Sequence, residues 1–65
     1  MNEAQSVLYR WIPWDLNTAG EVRALRPGDE YHFSYTSDNG LVRAELTYDE
    51  VQFVLARLTL ERKLK

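Results

Sequence analysis

The dipeptide Asn39-Gly40, set between two stretches of polar–apolar alternation, constrains this chain more than any other feature. Asn-Gly suits a two-residue type I′ hairpin turn, because both residues tolerate positive φ. Before it, Tyr31, Phe33 and Tyr35 fall on one face, with Glu30, His32, Ser34 and Thr36 on the other. After it, Val42, Ala44 and Leu46 alternate with Leu41, Arg43 and Glu45. Period two in a β-rich composition predicts two half-buried strands. With Asn39-Gly40 as the loop, Asp38 pairs with Leu41, Tyr35 with Ala44, Phe33 with Leu46 and His32 with Thr47. Apolar side chains then meet apolar ones; a loop of odd length would turn one strand over and spoil both faces.

The second secure element follows directly. Thr47-Tyr48-Asp49-Glu50 has the form of a capping box, with Thr47 at the N-cap and Glu50 reaching back. From Tyr48 to about Lys63 there is no Gly or Pro, so a C-terminal helix is expected. Arg26-Pro27-Gly28-Asp29 has the form of a type II turn, with Pro and Gly at its centre. Before that turn the chain admits two readings. Glu21 to Leu25 can pair with Glu30 to Phe33 as a first strand, or Thr18-Ala19-Gly20-Glu21 can open a helical turn. The strand is preferred. At the N-terminus, Ala4, Val7, Leu8, Trp11 and Ile12 fit a helical face, whereas Val7, Tyr9 and Trp11 fit a strand. Pro13 ends either one. The expected fold is therefore α+β: a three-stranded antiparallel β-meander packed by a C-terminal α-helix, with an N-terminal element that is helix or strand. Residues 1–65 form one domain, without repeat or linker.

Sixty-five residues bury only about 60% of their unfolded surface, so stability is marginal. With no cysteine and one histidine, neither a disulfide nor an ordinary zinc site of about four N or S ligands is available. No cofactor is expected. The supply of core is adequate, with 45% of residues apolar and two of them tryptophan. The absence of cysteine fits a reducing cytoplasm. No basic-apolar leader opens the chain and no apolar run nears the ~20 residues of a membrane span, so a cytoplasmic protein without membrane contact is expected.

Net charge is −2, unevenly spread. Residues 1–56 carry nine acids against four bases, net −5; residues 57–65 set Glu61 against Arg57, Arg62, Lys63 and Lys65, net +3. Cations at a helix C-terminus complement its dipole, which accounts for the tail. The acidic body disfavours direct contact with phosphates and favours basic partners, including the surfaces with which proteins hold DNA or RNA.

At about 100° per residue the C-terminal helix shows two apolar stripes. Val51, Val54, Leu55 and Leu58 suit the strands. Phe53, Leu60 and Leu64 lie nearly opposite. The second stripe is covered by the N-terminal segment with Trp11, Ile12 and Trp14, by a second copy in a homodimer, or by a foreign partner. Trp14, Phe53, Leu60 and Leu64 are the candidate apolar interface.

Signals for catalysis are weak. His32 lies near Ser34 with Glu30 and Glu45 at hand, yet a mid-strand serine has neither a strained elbow nor an oxyanion loop. His32 reads as an exposed, uninvolved side chain. Asp29/Glu30 and Asp49/Glu50 could serve a hard cation or acid–base work, but a turn and a helix cap explain them. Trp11-Ile12-Pro13-Trp14 supplies one indole to the core and leaves the other as a candidate hot spot.

Two resemblances bear on function. Ile12-Pro13, Leu25-Arg26-Pro27-Gly28-Asp29-Glu30 and the hairpin to Leu46 resemble the swapped-hairpin fold of transition-state regulators and antitoxins, which implies a dimer that binds DNA. By size and charge class, the compact, acidic, cysteine-free chain is similar to small phage-encoded anti-defence inhibitors, anti-CRISPR proteins among them. That likeness implies occlusion of a target's nucleic-acid-binding surface by carboxylates. The function expected is a non-catalytic inhibitor of a basic nucleic-acid-binding protein of a bacterial host, with no direct contact to nucleic acid. Glu21, Asp29, Glu30, Asp38 and Glu45 form its acidic face.

Overall fold

Side-chain caps decide where each helix begins. A computed structural model describes residues 1–63, in the order α1 (Glu3–Trp11), α2 (Leu16–Arg23), β1 (Glu30–Ser37), β2 (Gly40–Thr47) and α3 (Tyr48–Lys63). Asn2 opens α1 with a capping box: its Oδ1 accepts from the Gln5 N–H at 2.8 Å, and Gln5 Oε1 accepts from the Asn2 N–H at 2.9 Å. The helix runs until Pro13, with Ile12 as its C-cap. Helical spacing turns Val7 and Leu8 inward. The N-terminal element is thus a helix.

The expected meander is corrected. Residues 21–25 do not form a strand, and the sheet has only β1 and β2. The reason is a cap three residues before the anticipated one. Asp15 Oδ1 accepts from the backbone N–H groups of Asn17 and Thr18, and its Oδ2 accepts from the Thr18 hydroxyl at 2.8 Å. Capped this way, the chain enters a helix that carries Ala19 and Val22 to one side, and Val22 is fully buried. A strand over the same residues would satisfy neither the cap nor this spacing. Gly20 sits exposed within the helix, where no side chain is needed.

The turn to β1 is as expected. Gly28 has φ 95°, the Asp29 N–H donates to the Arg26 carbonyl at 2.9 Å, and Asp29 Oδ2 accepts from the Arg26 N–H. The hairpin forms, but its register differs by two residues. Ser37 pairs with Gly40, Tyr35 with Val42, Phe33 with Ala44, Tyr31 with Leu46 and His32 with Glu45. Asp38-Asn39 occupies the loop. Only Gly40, at φ 109°, has positive φ in this turn. That is the pattern of a type I turn closed by a glycine bulge, not of a type I′ turn, which needs positive φ at both central residues. Ser37 Oγ, donating to the Gly40 carbonyl and accepting from the Asn39 N–H, holds this form. A slip of two residues preserves both faces, so alternation alone does not distinguish the two registers.

The capping box that opens α3 is present as expected, with the Thr47 N–H on Glu50 Oε1 at 2.9 Å and the Glu50 N–H on Thr47 Oγ1. Thr47 therefore ends β2 and starts α3 without a linker. The core joins Leu8, Ile12, Val22, Tyr31, Leu46, Val51 and Val54. A smaller cluster of Val7, Tyr35 and Ala44 extends it toward the hairpin tip. Trp11 closes that end, its indole edge-on to Phe33 with centroids 5.5 Å apart. The two starts of α1 and α3 are tied together, since Gln5 Nε2 donates to the Glu50 carbonyl and Asn2 Nδ2 to Glu50 Oε2.

Candidate functional site

The faces of the hairpin separate structure from surface. Its inner face is the core. Its outer face carries Glu30, His32, Ser34 and Thr36 from β1 and Leu41, Arg43, Glu45 and Thr47 from β2, all exposed. On this face His32 lies between two carboxylates, with Nε2 3.6 Å from Glu30 Oε2 and Nδ1 3.6 Å from Glu45 Oε1. All three side chains are more than half exposed, so these contacts orient the ring and contribute little stability. The cross-strand partner of His32 is Glu45, and not Thr47, because of the register. Nothing in this open arrangement shields a reacting group from water.

At the foot of the hairpin the Pro27-Gly28 turn and the start of α3 face each other across a cleft of about 390 Å³. It is lined by Pro27, Gly28, Asp29, Glu30, Thr47, Tyr48 and Asp49. The direct passage from β2 into α3 creates this cleft, and no lysine or arginine lines it. Among the described side chains, no Arg nitrogen comes within 4.0 Å of a carboxylate oxygen. The negative field of the cleft therefore stands uncompensated by close ion pairs. No group of three or more His, Asp or Glu among the described residues is placed to hold a metal ion.

Of the acids expected to share a face, the structure groups Asp29 and Glu30 in the cleft, with Glu45 beside His32 on the adjoining outer face. Asp38 lies at the hairpin tip, roughly 25 Å away at about 3.3 Å per strand residue. Glu21 lies on α2, near the Tyr31 hydroxyl. Asp49 joins the cleft although it reads from the sequence as helix capping alone. Its signal was the adjacency of the two carboxylate pairs, which only the fold supplies. Arg43 stands on the outer face opposite Ser34, so that face is mixed in sign while the cleft is not.

Carboxylates and phenols respond to these surroundings. Hydrogen bonds from the Thr18 hydroxyl and backbone hold Asp15 below the usual carboxylate range. The Thr47 backbone N–H, followed by the Thr47 and Asn2 side chains, does the same for Glu50. Burial raises the phenols of Tyr31 and Tyr35, and Glu61, as hydrogen-bond acceptor, raises that of Tyr9.

The candidate apolar residues fall in separate places. Trp14 is 86% exposed in the α1–α2 corner, which its N–H and that of Asp15 fix by donating to the Trp11 carbonyl. Leu16, 85% exposed, lies next to it and was not foreseen. Its position is off the face that carries Thr18, Ala19 and Val22, which becomes visible only once Asp15 is known as the cap. Phe53 and Leu60 are also exposed, at 48% and 58%. The N-terminal segment does not cover them, because Trp11 and Ile12 pack into the core clusters instead. Leu64 lies outside the described residues.

The chain matches no protein-family model, no curated protein and no solved structure. Ile12 is the C-cap of α1 and Pro13 follows it directly. No described helix is long and apolar enough to cross a membrane.

Proposed function

We propose that this chain is a non-catalytic binding protein that presents its acidic cleft to a basic protein surface of the kind used to hold nucleic acid. It inhibits that partner by occlusion, in the manner of small anti-defence proteins. The observation that carries this reading is the cleft of Asp29, Glu30 and Asp49, with no cation lining it. Three carboxylates on rigid backbone can meet Lys and Arg without the cost of ordering a loop. Glu45 extends the field along the outer face, and the fixed, exposed Trp14 offers a second, apolar anchor of the type that dominates protein interfaces.

The test is capture from a bacterial lysate with the wild-type chain and with the Asp29→Lys/Glu30→Lys variant as bait. The wild type should retain a basic nucleic-acid-binding protein at about 0.05 M salt and release it near about 0.5 M, where exposed charges are screened within a few ångströms. The double variant should keep its helical circular dichroism and lose the partner. Retention by the folded double variant would end the acidic-cleft reading. Tight, specific retardation of duplex DNA by the chain alone would instead favour the DNA-binding regulator.

A further inference from the structure

Strand β2 pairs with β1 along one edge and leaves the other edge open. From Gly40 to Thr47 it holds none of the prolines or lysines that keep such edges apart. The Thr47 N–H points away from β1, to Glu50 Oε1. By the alternation of an antiparallel ladder, the backbone groups of Leu41, Arg43 and Glu45 point the same way. Among the described residues, none of these groups bonds to another backbone group outside the hairpin. The side chains along this edge are ordered by charge. Arg43 and Glu45 flank Ala44 on the exposed outer face, opposite in sign. Glu45 has His32 on its β1 side, whereas Arg43 has no described carboxylate oxygen within 4.0 Å.

From this order we propose that the open edge of β2 is the contact between two copies of the chain, paired antiparallel about a twofold axis through Ala44. A twofold contact needs a self-complementary strand, and β2 is one. Read in opposite directions, Arg43 of each copy lies beside Glu45 of the other. Each such pair exchanges main-chain hydrogen bonds through groups that the single chain leaves open, and brings opposite charges together on one face. The inner face stays apolar, with Val42 beside Leu46 of the other copy. On the outer face one row then runs from His32 to Glu45, and on to Arg43 and Ser34 of the other copy. Charge fixes the register. Moving the axis to Arg43 or to Glu45 keeps both faces but sets like charges directly opposite, which is unfavourable. The outer face of β1 carries Glu30 and His32 without an arginine or lysine, so pairing β1 with itself fixes no register. Pairing β1 of one copy with β2 of the next does not close. The ladder ends at Thr47, whose N–H Glu50 already holds, and Asp29, Glu30 and Asp49 in the cleft lie off β2.

Sedimentation equilibrium of the full chain from about 10 μM to about 1 mM should show a reversible monomer–dimer transition. Arg43→Glu and Glu45→Arg should each weaken it by more than about tenfold, since each sets like charges opposite at two symmetry-related places. Mixed one to one, the two variants should pair with each other, because each supplies the sign that the other lacks. The double variant Arg43→Glu/Glu45→Arg only reverses the order and should associate within about threefold of the wild type. Its recovery shows that the single variants fail through charge and not through unfolding. Exchange of the Arg43 and Glu45 amide protons should slow as the concentration rises, which a contact through side chains alone does not produce. A monomer at every concentration, a dimer indifferent to both single variants, single variants that stay apart when mixed, amide exchange independent of concentration, or growth beyond the dimer would each overturn the proposal. No foreign partner enters these measurements, so their failure leaves the acidic-cleft reading to its own test.

Discussion

Asp15 and Glu50 do the most for their size. Each accepts backbone N–H groups that the helix itself leaves without partners, and each does so better as a carboxylate than as an acid. Both carboxyls sit below their usual range when folded, so the unfolded chain binds protons first as pH falls. Their contribution is therefore complete above about pH 4, the ordinary carboxylate value, and is lost as pH falls through the lower folded value. Melting temperature should be level between about pH 7 and 5 and drop below about 4. Asp15→Asn, which caps without titrating, should leave the melting temperature near pH 7 almost unchanged and blunt the acid decline; Asp15→Ala should lower it at both pH values. The phenols of Tyr9, Tyr31 and Tyr35 have the opposite sense. Their folded values lie above the ordinary one, so stability is intact below about pH 10 and declines as pH rises beyond it. An alkaline titration should show tyrosinate absorbance rising together with loss of circular dichroism.

Among the elements, the hairpin carries the sharpest test of geometry. In the observed turn Gly40 alone has positive φ, and a Cβ built on it meets no atom within 4 Å. Gly40→Ala should then cost about 1–2 kcal/mol of conformational strain with no steric clash. Asn39→Ala should be close to neutral. A type I′ turn over Asn39-Gly40 would make both substitutions costly, so urea unfolding of the pair distinguishes the registers. The same logic of local geometry explains how the elements divide into legible and illegible. The box at Thr47 to Glu50 and the Pro27-Gly28 turn are self-contained hydrogen-bonded units, and both stand where the residues indicate. Over residues 21–25 the alternation of Val22 and Ala24 mimics a strand, although the segment is helical to Arg23. The deciding cap, Asp15, lies outside that window, and Thr18, which looks like a cap itself, is its hydrogen-bonded partner.

Across the whole molecule, one small core holds three helices and a two-stranded sheet. Leu8 is fully buried in the core cluster that joins α1 to α2, the sheet and α3. Leu8→Ala should cost about 2–5 kcal/mol, against a total of roughly 3–10 kcal/mol for a domain of this length, and should leave a large unfolded fraction at modest urea. Trp14→Ala, at an 86% exposed site, should change stability by less than about 0.5 kcal/mol while weakening any partner that uses the indole as an anchor. Together the two variants separate the aromatic and aliphatic residues that make the fold from those that the fold displays.

What the residues determined unaided were the parts closed by near neighbours: two alternating strands, a glycine turn between them, a proline-glycine turn before them and a capped helix after them. These depend on hydrogen bonds and dihedral preferences within about four residues. Tertiary structure decided the rest: the helical state of residues 16–23, the register within the hairpin, the burial of Trp11 with exposure of Trp14, and the meeting of Asp29 and Glu30 with Asp49. The Asp15 cap and the Ser37 hydrogen bonds favour the first two locally, but strand-like alternation and a two-residue slip compete with them, and packing Val22 with Leu8, Leu46, Val51 and Val54 in one core adds the free energy that separates the alternatives.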